Sequence, residues 1–280
     1  MRDLLKAAGA AALTLVSLAV LPAAAKVILV TVPHGTALQD AVFAATDHGD
    51  TVILVNPGNY GPAIITRGVT IIAVPGAGIF SPDKECLFIL APDGANGATV
   101  TVDGLTCDMG GAARTGISYN RGRRLILNNV TVKNGASSRC GLRFVATRSI
   151  HALSITRSTF NSFGAKAPGG AICLSIFPNV AMSATFDALT IEGNATGVTA
   201  TPVEGGGTLD VLIANSVIVR NGVGVSANGV GVAFRVANSV ITRNGLGLTK
   251  SGGATLISME GNSVDNPGGG NTFDTTVPKN

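Results

Sequence analysis

Arginine is the residue type of this chain that most invites a chemical reading. Arg114, Arg121, Arg123, Arg124, Arg139, Arg143, Arg148 and Arg157 fall within one short stretch. A forked guanidinium suits carboxylate or phosphate oxygens, so such a cluster points to an anionic ligand; a solubilising surface is the competing reading. Further on, Arg220 and Arg243 each precede Asn-Gly, as Lys133 does. In a repeat of fixed register Arg220 and Arg243 would stack about 5 Å apart, which makes them candidate ligand contacts. The nearest carboxylates are Asp103 and Asp108, with Asp93 upstream. Asp103 sits at a turn, where Asp is common for its local hydrogen bonds. His34 and His48 flank a short helical segment, His151 reads as an outward, solvated strand residue, and no serine has a G-x-S-x-G context.

Four cysteines, Cys86, Cys107, Cys140 and Cys173, admit the pairs Cys86–Cys107 and Cys140–Cys173. Repeat positions argue the other way. Cys107 occupies a site that Val132, Phe160, Ile191, Ile218 and Ile241 fill elsewhere, an inward position where a thiol serves as small apolar filler. Cys140 lies two residues before Leu142 and Cys173 one after Ile172, so strand alternation points their side chains to opposite faces. No CxxC pair supports zinc.

These residues must be positioned by a repeating scaffold. VLIANSVIVRNGVGVS from Val211 is nearly rewritten as FRVANSVITRNGLGLT from Phe234, and looser copies begin at Val100, Leu125, Leu153 and Thr185. A near-copy at this period is one structural unit stacked on itself. Asn129, Asn215 and Asn238 mark one anchor, and they are expected to form an inward ladder at a strand bend. A small residue followed by an aliphatic one marks the other, as in Gly116-Ile117, Gly141-Leu142, Ala171-Ile172, Gly197-Val198, Gly224-Val225 and Gly247-Leu248. Alternate aliphatics, β-branched residues and Gly or Asn punctuation give three short strands per repeat and no helical side. That pattern is a coil of a parallel β-helix, with regular coils over 99–266.

Ahead of the coils, 27–32, 51–55 and 69–74 read as strands, and Thr36-Ala-Leu-Gln39 as a capping box opening a helix over 36–46. Open ends of such a stack need covers; the helix fits one end and the irregular tail the other. Residues 1–25 read as an export signal: Arg2 and Lys6, an apolar run from Ala7 to Val20, then Ala23-x-Ala25 before Lys26. This leaves a single domain over 26–280, outside the cytoplasm in a periplasmic or secreted location, with no membrane span after cleavage. The formal charge is +4. Basic residues are not interleaved with aromatics on one element, which excludes a nucleic-acid partner.

The segment from Leu38 to Gly76, with Gly49-Asp50-Thr51, Val55, Pro57-Gly58, Tyr60 and Val69-Thr70-Ile71-Ile72, resembles the opening of pectin-lyase-like right-handed β-helix proteins. With the NSxIxxNxxG coils the resemblance extends over about 34–266. It implies a right-handed single-stranded parallel β-helix with an N-terminal capping helix. Function varies across that superfamily. A pectate-lyase-type site would add an acidic Ca2+ cluster, here Asp103 and Asp108, and an arginine base, here Arg139 or Arg143. The NxD, DD and GHG strings of the glycosidases are absent, and no Gln follows Gln39 to supply esterase donors. The expectation is therefore a non-catalytic, cofactor-free surface for a structural role or for acidic polysaccharide. A uronate-specific lyase, the only reading that needs Ca2+, is the alternative.

Overall fold

The computed structural model describes residues 25–92, 97–111, 114–135, 140–147, 151–163, 169–203 and 206–278. Residues 1–24 of the expected export signal, Asp93, Arg139 and Arg148 lie outside these residues.

Period-2 burial drives the architecture. Most strands of sheets A and B alternate buried side chains with half-buried or exposed ones. Most of those of sheet C hold a run of two or more buried residues at or near their start, and three strands per coil enclose one apolar interior. The coils stack into three parallel sheets, here called A, B and C in the order the chain visits them. Among the described residues sheet A has eleven strands, sheet B nine and sheet C eight. The result is the parallel β-helix that the resemblance implies. The entry coil comprises β1 (Val27–Val30), α1 (Ala37–Ala44), β2 (Asp50–Leu54), β3 (Gly58–Asn59) and β4 (Ala63–Ile65). Later strands follow the same A, B, C sequence.

The repeat anchors become columns of the core. In sheet B, Ile79, Cys107, Val132, Phe160, Ile191, Ile218 and Ile241 stand in register. In sheet C, Ile117, Leu142, Ile172, Val198, Val225 and Leu248 do the same. The small residue before the latter column is there for lack of space. A Cβ on Gly224 would stand 2.5 Å from the Gly247 carbonyl oxygen and 2.9 Å from Ile241.

At both the A-to-B and the B-to-C corner one residue takes positive φ and the next turns inward, as Ser or Asn in some coils and as apolar Val130, Leu189 or Phe163 in others. At the A-to-B corner the left-handed residues are Asn129, Arg157, Ala188, Asn215 and Asn238. Asn tolerates this conformation better than most L-residues. Asn129, Asn215 and Asn238 are exposed, so the inward ladder expected of them is not there. The residue after each turns inward instead. Ser216 and Ser239 accept the N–H groups of Leu189 and Ser216 at 3.1 Å. At the B-to-C corner Asn134, Ser162, Arg220 and Arg243 hold positive φ, and the buried ladder is Asn194, Asn221, Asn244 and Asn266.

Lys133 does not share the column of Arg220 and Arg243. It pairs with Asn161, whose line continues through Glu192, Val219 and Thr242. The KNG and RNG strings are therefore one residue out of phase, because the strand Thr131–Gly135 runs through its Asn-Gly instead of ending before it.

Both ends are covered. Helix α1 buries Ala37, Leu38, Ala41 and Val42 against the first coil. Its expected capping box is absent: Thr36 Oγ donates to the Asp40 carboxylate at 3.0 Å. Gln39 reaches β4 instead, its Oε1 accepting the Ile64 N–H at 2.8 Å and its Nε2 donating to the Ile64 carbonyl at 3.4 Å. One carboxamide thus stands in for a missing neighbouring strand at the edge of sheet C. At the far end the tail adds Thr275–Thr276 to sheet A. The Gly269 and Gly270 carbonyls receive the N–H groups of Gly247 and Leu248.

Two disulfides join neighbouring coils, Cys86–Cys107 and Cys140–Cys173, each with a Cα separation of 6.0 Å. The alternation argument against the second pair fails at its strand starts. Cys140, Gly141 and Leu142 are buried consecutively, and so are Gly170 to Leu174; the chain there is bending, not pleating.

Candidate functional site

The strands of the three sheets differ sharply in charge. Sheet A strands carry Asp50, Asp103, Asp187 and Asp210, and sheet B strands carry Asp108, Glu192 and Asp265. Among the described residues no strand of sheet C contains a carboxylate, whereas Arg121, Arg143 and Lys250 all lie in that sheet. The face of sheet C is therefore the one on which an anion meets least repulsion.

Its early coils hold the expected arginines in a built arrangement. Phe88, Ser118, Arg143 and Cys173 occupy one column across four strands. Arg143 is exposed, and its Nη1 donates to Asn120 Oδ1 at 3.2 Å; Asn120 Nδ2 in turn donates to Ser118 Oγ at 3.2 Å. The strand Ile117–Arg121 bulges between Tyr119 and Arg121 against Leu87–Leu90, and such a bulge re-aims side chains. Beneath it Tyr119 and Phe144 stack with ring centroids 4.1 Å apart. His151 lies edge-on to both and is buried, not on the surface. It shares strand parity with inward Leu153 and Ile155, a signal present in the sequence.

At its N-terminal end this face opens into a cavity of 470 Å³ lined by Thr36, Gln39, Ile64, Lys84, Glu85, Phe88 and Arg114 among others. The volume is in the range of small-molecule sites, roughly 300–1,000 Å³. Further along, Thr199, Thr201, Ser226, Asn228, Thr249 and Ser251 continue the face as hydroxyls and one amide, with Ser251 Oγ donating to Asn228 Oδ1 at 2.8 Å.

The remaining candidates are dispersed. Asp103 ends a sheet A strand beside Asn128; Asp108 lies in sheet B beside Lys133; Arg143 lies in sheet C. The fold thus puts the two acids and the arginine of the lyase constellation on three different sheets. Asp108 is also engaged. Burial pushes its carboxyl up, but hydrogen bonds from Gly110 N–H and Asn134 Nδ2, with the Lys133 ammonium, outweigh it and leave the pKa lowered. Among the described residues no group of three or more His, Cys, Asp or Glu side chains is placed to hold a metal ion.

Arg220 and Arg243 are exposed left-handed corner residues, and Arg220 pairs with Glu192. Arg157 sits at the other corner and donates to Asn128 Oδ1 at 2.8 Å. Of the eight clustered arginines, Arg121 and Arg143 belong to sheet C, and Arg114 flanks it in the cavity wall. Sequence reasoning missed Phe88, Ser118 and Asn120. Each small-plus-aliphatic anchor is followed by several residues without Asp or Glu, and that was their signal.

No family model and no curated protein matches this chain. Among solved structures, the crystal structure of pectate lyase Pel9A is similar at 16% identity, over 86% of this chain and 71% of that one, with a TM-score of 0.46. At that level the match carries no argument, and the fold rests on the chain's own strand ladders.

Proposed function

We propose that this is an exported, non-catalytic binding protein whose sheet C face takes an anionic polysaccharide, with uronate carboxylates paired to Arg143 and its neighbours. The observation that carries the reading is the exclusion of carboxylates from every strand of sheet C, while Arg121 and Arg143 stand on its early coils. The Asn120 contact restrains the Arg143 guanidinium, so less side-chain entropy is lost when a carboxylate binds. Phe88 supplies an apolar surface for sugar C–H groups beside it, and the hydroxyl files supply hydrogen-bond partners for sugar hydroxyls. Export is supported by the two disulfides, which persist in oxidising compartments, and by the leader-like first 25 residues. The test is retention on immobilised polygalacturonate beside a neutral glucan, together with absorbance of unsaturated uronate products with and without Ca2+. Retention on the uronate alone, lost in Arg143→Ala, supports the reading. Product formation abolished by Arg143→Ala would replace it with a lyase.

A further inference from the structure

The carboxylate of Asp50 is completely buried. Its Oδ1 accepts the main-chain N–H of Lys26 at 2.7 Å, and its Oδ2 that of Asp47 at 3.1 Å. These donors are neutral amides, joined by the Thr46 N–H and by the charge of the Lys26 side chain, which together lower the carboxyl's pKa. A buried charge gains most from a direct counter-charge. The Lys26 carbonyl already accepts the Thr51 N–H at 2.8 Å, so the ladder between β1 and β2 holds the Lys26 main chain in place. Ala25 and Lys26 are exposed, and the bond between them ends the Ala23-x-Ala25 pattern.

We propose that Asp50 is the receptor for a processed N-terminus: cleavage of the Ala25–Lys26 bond turns the Lys26 amide into an α-ammonium that ion-pairs with the Asp50 carboxylate. This rests on the export reading and is independent of any glycan. An export peptidase supplies the hydrolysis. Water adds its oxygen to the Ala25 carbonyl carbon, the C–N bond breaks, and Lys26 N takes up the protons to become ammonium. The new cation needs no journey, since its nitrogen already lies at hydrogen-bond distance from Oδ1. Other charged and titratable groups surround the site. Lys26 Nζ donates to the Ala44 carbonyl at the end of α1, Arg67 Nη1 to the Thr46 carbonyl, and Gly68 N–H to His48 Nδ1. Asp47 adjoins on the loop.

Pairing with a carboxylate raises the amine's pKa, so its contribution is complete below the unfolded value, about 7.7–8.0, and is lost as pH rises through the folded one. The experiment exports the full chain from a bacterium and takes the intact mass of the secreted product. A first residue of Lys26 is expected; an uncleaved chain, or any other first residue, overturns the proposal. Unfolding is then followed from about pH 7 to 10 for the mature chain and for the same chain acetylated at Lys26 N. The free amine should hold the folded-to-unfolded ratio roughly tenfold higher at pH 7, equivalent to about one pKa unit. That advantage should fade at high pH and vanish in Asp50→Asn. Identical pH profiles for free and acetylated chains would overturn the pairing even with cleavage in place. Glycan retention in the same preparations reports separately on the sheet C reading.

Discussion

Asn244 Oδ1 accepts two hydrogen bonds from Asn221, from the main-chain N–H and from Nδ2, each at 2.9 Å. The contact recurs from Asn194 to Asn221 and from Asn244 to Asn266. The second Nδ2 proton goes to a core-strand carbonyl, Ile191 for Asn221 and Ile218 for Asn244. Every rung thus closes a corner that would otherwise bury unpaired main-chain groups, each costing about 1–3 kcal/mol.

Asn244→Ala therefore strips partners from the Asn221 N–H and Nδ2 and from the Ile218 carbonyl together. We expect it to lower the unfolding free energy by about 3 kcal/mol or more, the sum of several unsatisfied groups. Asn238→Ala, at an exposed left-handed corner, should cost about 1 kcal/mol. Urea denaturation of the two variants checks the order; a larger loss in Asn238→Ala would mean the outer Asn file carries the load.

The glycine column makes a second stability prediction. Gly224→Val places a branched side chain where even a Cβ would lie 2.5 Å from the Gly247 oxygen. Overpacking of this kind costs typically 1–3 kcal/mol. Differential scanning calorimetry should show a lower Tm, with Gly35→Val, at a glycine without positive φ whose Cβ meets nothing within 4 Å, as the comparison that isolates crowding.

Gln39→Ala should leave the fold intact but uncover the edge of β4, freeing the Ile64 N–H and carbonyl that the carboxamide now occupies. An open strand edge recruits other strands. Light scattering at rising concentration should detect association of the variant sooner than of the parent, and Gln39→Glu should retain only the donor half of the defect, since a carboxylate still accepts from Ile64 N–H.

The tail cover is held through Asp274, which pairs with Lys250 and accepts the Leu256 N–H at 2.8 Å. The Lys250 hydrogen bond, then the Leu256 N–H, hold its carboxyl below the ordinary aspartate value. A depressed carboxyl stabilises above its unfolded pKa, about 3.9, and loses that contribution as pH falls through the folded one. The protection factors of the Gly247 and Leu248 amides, which the tail covers, should therefore fall in acid once the intrinsic pH dependence of exchange is divided out. Asp274→Asn should show the lower protection already at neutral pH, without the acid dependence.

Arg143→Ala should weaken polyuronate binding about tenfold at low salt, the scale of one charge-assisted hydrogen-bonded contact. The gap to the parent should narrow as added salt screens the pair. Asn120→Ala should have a smaller effect in the same direction, because it leaves the charge and removes only its restraint. Calorimetric titration at two salt concentrations separates the two contributions.

The sequence by itself determined the coil. The repeat register of Ile241 and Leu248, the β-branched alternation and the small residues at Gly224 and Gly247 sufficed to specify parallel strands, their columns and the capped ends. Period-2 burial is a local property, so it is written locally. The corners were half legible: Asn at each NS and NG step announced a bend. Which Asn turns inward depends on which residue takes positive φ, and that is decided by the carbonyls of the adjoining coil. The pairing of Cys140 with Cys173 likewise escaped the alternation rule because the chain bends where they meet.

Only the tertiary structure distributed the charges. Arg143, Asp103 and Asp108 are near one another in the chain, yet two corners place them on three faces. Arg121 and Arg143, 22 residues apart in the chain, instead lie on neighbouring strands of the one sheet whose described strands hold no carboxylate, with Arg143 opposite Ser118. Face membership is set by how many residues each corner consumes, a quantity that exists only once the coils have stacked.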